Sequence, residues 1–283
     1  MCSHRVVPQG EGRGWSKGKT KATDPRVARS AFAHVGVTYT RRTPLAELKW
    51  RTVTFTKLAI EWSPQMAYIV GLMATDGCLA SRSTAMNFKS ADRELVATYL
   101  ELLGRTNKIG AQTTKWGGLV YYTQYRDVRL RRWFESIGLT PRKSLTLGAI
   151  SAPDEFMAAL VRGLLDGDGS ISNGVWKADT TRRSDYYYEW LRTRFASASR
   201  THLEWLKSQL TRLIGLRGWI WTDYARRNPM SCLAYGKADS VELLSWLYEN
   251  PNAPCLTRKR GIWADYVSRH SLRTVESTNT MYA

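Results

Sequence analysis

The chain has 283 residues, with 42 Lys and Arg against 24 Asp and Glu, a formal charge of +18 with neutral histidines. At 43% hydrophobic, with 12 Trp and 14 Tyr, it has ample material for a core, which excludes wholesale disorder. No apolar run approaches the roughly 20 residues needed to cross a bilayer. The start, MCSHRVVPQGEGRG, also lacks the apolar stretch of a secretory signal, so a soluble, intracellular protein with no membrane partner is expected. Cys2, Cys78, Cys232 and Cys255 are scattered without a CxxC pair, and with only four histidines they spell neither a zinc knuckle nor a disulfide framework. An excess of 18 positive charges implies a polyanionic partner, for which nucleic acid is the commonest physical match. The plain alternative is a basic surface with no specific ligand.

Residues 1–50 hold ten Lys and Arg against three acids and few large aliphatics, and read as a basic arm. Gly18-Lys19-Thr20 suggests a phosphate-binding loop, but Arg13 stands where that loop needs its first Gly, and no apolar strand precedes it. Asp24-Pro25 is a helix start for RVARSAFAHVG, with Asp as cap and Pro at the first helical position.

From residue 64 the chain repeats itself. The first copy reads MAYIVGLMATDGCL, MNFKSADRELVATYLELLGR, YYTQYRDVRLRRWFESIGLTPRKSLTL; the second reads FMAALVRGLLDGDGSIS, RTRFASASRTHLEWLKSQLTRLIG, SCLAYGKADSVELLSWLYENPNAPCLTRKR. Each opens with an apolar helix, at about 65–75 and 155–167, ended by a Gly suited to a left-handed cap. Strand-like stretches follow, broken by amphipathic helices near 92–104, 128–137, 200–214 and 239–249, the last with Val241, Leu244 and Tyr248 on its apolar face. The second copy carries longer hairpins, at 171–196 and 216–235. The boundaries expected are an arm over 1–63, repeats over 64–150 and 151–266, and a loosely held tail over 267–283.

In the opening helices Ala67, Gly71, Thr75 and Ala159, Gly163, Gly167 form small-residue ridges that can meet with their backbones close. Their C-termini then lie side by side, each carrying an Asp-Gly pair, Asp76-Gly77 and Asp168-Gly169. Two carboxylates at the negative ends of helix macrodipoles are unfavourable unless a cation offsets them. With backbone carbonyls such as those of Thr75 and Gly167 as further oxygen ligands, the arrangement asks for a hard divalent cation such as Mg²⁺. Metals held between carboxylates and phosphate oxygens can activate water and stabilise a leaving 3′ oxygen, so phosphodiester hydrolysis follows. A single Asp-Gly would more often be a turn; the duplication shifts that balance. A calcium loop starting at Asp166 fails, because its twelfth position is Lys177.

IVGLMATDG and VRGLLDGDG resemble the paired motifs of single-chain LAGLIDADG homing endonucleases, and the resemblance covers about residues 64–265. It implies an α+β fold, a pseudo-twofold pair of αββαββα units whose antiparallel sheets form a saddle over the DNA major groove. It also implies metal binding by Asp76 and Asp168, while Asp166 matches an earlier family acid that is not a ligand and is Ala74 in the first copy. A basic residue near the start of each copy's last segment aligns with Lys143 and Lys259, with Arg142 and Arg258 as rivals. Expected activity is a Mg²⁺-dependent cut of both strands of an asymmetric target, leaving 3′ overhangs, by a monomer needing no protein partner. The arm around GWSKGKTKATDP resembles short basic modules appended to such enzymes, or is a disordered leader. An RNA maturase or a non-cleaving DNA-binding protein on the same scaffold is the competing reading.

If the sheet faces bind double-stranded DNA, outward strand positions should be long and polar. Asn87 and Lys89 alternate with Met86, Phe88 and Ser90, and Arg192 and Arg194 with Leu191 and Phe195. Arg82, Lys177, Arg182 and Arg183 lie in the hairpins that would reach outward, as do Lys115, Tyr122, Gln124, Arg226 and Arg227 in the second hairpins. Arg reads guanine bidentately and Gln or Asn reads adenine, though most basic contacts go to phosphate. Trp and Tyr residues are more often core packing than base stacking, so none is given a readout role individually.

Overall fold

The computed structural model describes residues 22–25, 58–115, 117–177, 187–225 and 229–280. The chain divides into two compact units, Met1–Val53 and Thr54–Ala283. In the first unit, Pro25 is helical and follows a buried Asp24, as the Asp-Pro pair suggests; the remainder of the expected basic module lies outside the described residues.

The second unit runs α1 (Pro64–Thr75), β1 (Gly77–Leu79), β2 (Ala85–Ser90), α2 (Arg93–Leu102), β3 (Gly110–Thr113), β4 (Leu119–Arg126), α3 (Val128–Ser136), and then repeats the pattern. The repeat comprises α4 (Met157–Asp168), β5 (Gly169–Lys177), β6 (Tyr187–Ser197), α5 (Arg200–Ile214), β7 (Trp219–Asp223), β8 (Met230–Tyr235) and α6 (Lys237–Leu247). A last helix, α7 (Thr257–Thr280), closes the unit. Each half holds a four-stranded antiparallel sheet, ordered β1-β2-β4-β3 and β5-β6-β8-β7. No helix among the described residues is long and apolar enough to cross a membrane.

α1 starts where Ser63 accepts a bond from the Met66 amide (3.1 Å) with Pro64 behind it, so the helix begins with its orphan donors partly met. From Met66 to Ala74 every residue of α1 is buried, which is why its sequence is apolar all round. It packs against α4 through the small ridges. A Cβ on Gly71 would collide with the Leu160 carbonyl oxygen and lie 2.8 Å from the Gly163 Cα, and a Cβ on Gly163 would collide with the Tyr68 carbonyl. Side chains there would hold the backbones apart.

One apolar cluster runs through both halves, from Phe88, Tyr99 and Phe134 through α1 and α4 to Phe195, Leu233 and Leu244. Each fully buried large apolar side chain contributes about 1.5–3 kcal/mol, so α1 and α4 anchor both sheets at once. α6 buries Ser240, Leu243, Leu244 and Leu247. Its apolar face is therefore turned one residue from the Val241-Leu244-Tyr248 line expected, leaving Val241 and Tyr248 half-buried at its rim.

One expectation is corrected. The glycines after the aspartates are not left-handed; Gly169 is extended (φ −88°, ψ 171°), and left-handed caps occur instead at Gly104, Gly138 and Gly215. Gly77 and Gly169 are needed for space, because a Cβ would lie 2.6 Å from the Met73 and Leu165 carbonyl oxygens respectively. The tail boundary expected at 266 falls inside α7. That helix continues because Arg269 and His270 reach Glu189 on β6, at 3.1 and 2.6 Å.

Candidate active site and nucleic-acid interface

The packing of α1 on α4 brings the two helix C-termini together, with Thr75 set directly against Gly167. Asp76 caps α1, its amide donating to the Leu72 carbonyl (3.0 Å) while its own carbonyl accepts from Lys89 on β2 (3.3 Å). Asp168 ends α4 and opens toward solvent. Burial, and after it the Asp168 charge, raises the Asp76 carboxyl to about 7, against the opposing pull of Lys259, a Ser90 hydrogen bond and Lys143. The protein crowded around the helix ends also raises Asp168, against the pull of Lys143 and Lys259. The pair is thus short of positive charge.

Lys143 and Lys259 are both buried beside these helix ends. The Lys259 ammonium donates to the carbonyls of Leu165 (2.6 Å), Asp166 (2.8 Å) and Gly169 (2.7 Å), and more distantly to Gly167 (3.4 Å). The Lys143 ammonium donates to the Gly77 carbonyl. The Leu165, Asp166 and Gly167 carbonyls are orphan acceptors of the α4 C-terminus, so Lys259 is fixed as a cap there, while Lys143 is held just past the end of α1, on the first residue of β1. Burial lowers both ammonium groups, Lys259 to about 8, with the aspartates pulling the other way. Of their rivals, Arg258 is engaged with Asp92 (2.8 and 2.9 Å), and Arg142 is exposed in a left-handed turn (φ 60°).

Asp166 belongs to a different environment. It is buried, accepts from the Tyr68 hydroxyl (2.8 Å) and the Leu256 amide (2.9 Å), and ties the two halves together behind the seam. Burial raises it to about 6.

Among the described residues no group of three or more His, Cys, Asp or Glu side chains gathers as a metal cluster. The donor set that is present still fits a hard cation. Mg²⁺ is commonly held by one or two carboxylates plus waters and substrate phosphates, and here two carboxylates with elevated proton affinity converge at carbonyl-rich helix ends. The Thr75 hydroxyl is engaged with the Leu72 (3.0 Å) and Gly71 (3.2 Å) carbonyls, so any contribution from Thr75 comes from its backbone. The Gly167 carbonyl keeps a lone pair beyond its long bond to Lys259.

The strand registers sort the other predicted residues. Asn87 lies opposite Cys78 and Gln124, and Lys89 opposite Tyr122, so Asn87, Lys89, Tyr122 and Gln124 share the outer face of the first sheet. Met86, Phe88, Thr123 and Tyr125 occupy its inner face and are buried. In the second sheet Arg192 pairs with Ser172, and Arg194 with Ser170 and Ala234, on the outer face. Lys177 is exposed at the end of β5 but falls on the opposite face by register, paired with Tyr187. Arg82 is exposed in the β1–β2 turn and Lys115 in the β3–β4 turn. Arg182, Arg183, Arg226 and Arg227 lie outside the described residues.

Further residues at the candidate site and on the sheet faces are absent from the sequence expectations. Ser90 bonds Asp76; as an inward strand residue it gives no hint of that. Arg126 and Gln112 share the outer face with Gln124, as the period of two could have shown. Among the described residues six Trp and Tyr side chains are exposed rather than packed in the core, and four of them, Trp176, Tyr188, Trp219 and Trp221, stand on the outer face of the second sheet. That face is lined by rings because its outward positions alternate with buried Leu191, Phe195 and Leu233.

Comparison with solved structures places this architecture. A structure described as I-SmaMI bound to an uncleaved DNA target in the presence of calcium ions aligns at a TM-score of 0.53 and 12% identity, over 77% of this chain and 93% of that one. I-SmaMI, described as a LAGLIDADG homing endonuclease and bound to cleaved DNA, aligns at 0.50 and 12%, over 77% and 91%. The LAGLIDADG meganuclease I-AabMI bound to uncleaved DNA aligns at 0.51 and 16%, over 76% and 92%. The chain therefore has the LAGLIDADG meganuclease fold, two α+β units each with a four-stranded antiparallel sheet, as its sequence resemblance implies. No family model matches the sequence. Among curated proteins it is similar to a component of the A-type ATP synthase of Methanopyrus kandleri, 27% identical over 124 residues, which is 43% of this chain but 12% of that protein's length.

Proposed function

We propose that the protein is a site-specific DNA endonuclease that makes a divalent-metal-dependent double-strand cut. The observation that supports this best is the convergence of Asp76 and Asp168 at the C-termini of the packed helices α1 and α4, with Asp76 raised to about 7. Asp76 and Asp168, with the backbone carbonyls of Thr75 and Gly167, would hold Mg²⁺ or, for binding alone, Ca²⁺. Bound metal would supply Lewis acidity toward the phosphate and a more acidic water. The chain itself supplies position. The Gly71–Gly163 crossing sets the carboxylates, Ser90 orients Asp76, and the buried lysines hold the helix ends and add positive potential behind the scissile phosphate.

The outer sheet faces would carry the duplex. Asn87, Gln124, Arg192 and Arg194 are placed to read base edges, while Lys89, Arg82, Lys115 and Arg126 contact phosphate. Because the two faces differ residue by residue, the target is asymmetric and one chain suffices to read it.

The test is to incubate the full chain with Mg²⁺ and a randomised duplex library and to sequence the ends produced. One recurrent asymmetric site with 3′ overhangs is expected. Absence of cutting under conditions where the chain binds duplex DNA would overturn the enzyme reading in favour of a non-cleaving binder. Preferential retention of structured RNA would favour a maturase.

A further inference from the structure

The outer face of the second sheet carries five aromatic rings among its strand positions. Trp176 and Tyr188 form a stacked cross-strand pair (5.8 Å, 23°), and Trp219 and Trp221 stand two residues apart on the edge strand β7. The four are between 44% and 50% exposed. Between them lies Trp190, over Gly174, where a Cβ would collide with the indole nitrogen. The Arg192 guanidinium sits 5.8 Å from the Trp190 ring and 5.9 Å from Trp219, with Arg194 two residues on along the same face.

Four half-exposed rings gathered on one sheet face mark a binding surface. The interleaved arginines and the net charge of +18 favour a polyanion over an apolar protein patch. A B-DNA major groove offers one apolar group, the thymine 5-methyl, beside an acceptor, O4. An indole offers the matching pair, an apolar edge and an N–H that can only donate. Cytosine presents a donor there, which an indole cannot accept.

We propose that the second sheet reads a T·A-rich half-site through thymine methyl groups, using Trp176, Tyr188, Trp219 and Trp221, with Arg192 and Arg194 on neighbouring guanine or phosphate. The first sheet, lined by Asn87, Lys89, Gln124 and Arg126, reads the other half by hydrogen bonds. This rests on the DNA reading above and adds what each half recognises.

The test selects randomised duplexes on the full chain in Ca²⁺, then remakes the recovered duplex with deoxyuridine for thymidine in one half at a time, which removes only methyls. Expected is one half rich in T·A whose uridine version binds about tenfold more weakly, with less than a twofold change for the other half. The Trp219→Ala/Trp221→Ala variant should lose base preference in that same half alone. Recovery of a specific duplex that is indifferent to uridine in both halves overturns this proposal and leaves the DNA reading standing. Failure to retain any duplex overturns both, and preference for single strands over duplex would assign the rings to base stacking instead.

Discussion

The two halves of Thr54–Ala283 share an inner pattern and differ on the outside. Both helices at the seam present small residues to each other, both end in Asp-Gly, and both sheets have the same strand order. Outside, the first half carries amides and single charges on short strands, β1 of three residues and β2 of six. The second carries rings and arginines on β5 of nine residues and β6 of eleven. Positions that face another part of the chain are held by mutual packing; positions that face a ligand are free to diverge with it.

The comparison can be broken first at the carboxylates, where the halves should be equivalent. Asp76→Asn and Asp168→Asn should each reduce cleavage by about a thousandfold or more, roughly 4 kcal/mol in the barrier. Salt-sensitive DNA binding should persist. Substantial cutting by either variant, measured in single turnover, would mean that one half alone carries the chemistry. Next is the seam. Gly163→Leu must displace the backbone of α1 at Tyr68, and should lower stability by about 3 kcal/mol in urea titration.

The lysine caps should separate the halves. Lys259→Met strands several carbonyls of α4 and should cost about 3 kcal/mol, whereas Lys143→Met strands the Gly77 carbonyl and should cost about half as much. Equal losses in thermal melts would show that the bond count misjudges them.

The pH dependence follows from Asp76. In metal-free protein it titrates near 7, against 3.8 for an ordinary aspartate. The native state therefore holds more protons than the unfolded chain between those values, and this contribution to stability falls as pH rises through the window. Relative to Asp76→Asn, the wild type should lose stability between about pH 5 and 7.5 in urea titration. Smallest is Gln124→Ala on the first face, expected to relax one base position by about tenfold in binding.

Much of this is legible in the sequence because the duplication supplies two independent readings of each element. Helix order, the small-residue ridges and the outward placement of Asn87, Gln124, Arg192 and Arg194 follow from spacing alone. The role of Gly77 and Gly169 does not, since a close approach and a left-handed turn both call for glycine and only coordinates tell them apart. The lysines align with a family motif, but their bonds to helix ends depend on contacts 66 to 94 residues apart in the chain. The exposed tryptophans escape notice because composition places Trp inside, and burial of an individual ring depends on which face its strand turns inward.

The Gly71–Gly163 crossing has a consequence for how such a molecule could be rebuilt. A contact made of backbone carries little information about which partner it belongs to, so any α1-like helix with small residues at the same spacing could be grafted against α4. Mate selection falls instead to a few polar clasps around the junction, Tyr68 with Asp166, Asp92 with Arg258 and Glu94 with Thr257. Chimeras that transplant those clasps along with the helix would join halves of different specificity in a single chain.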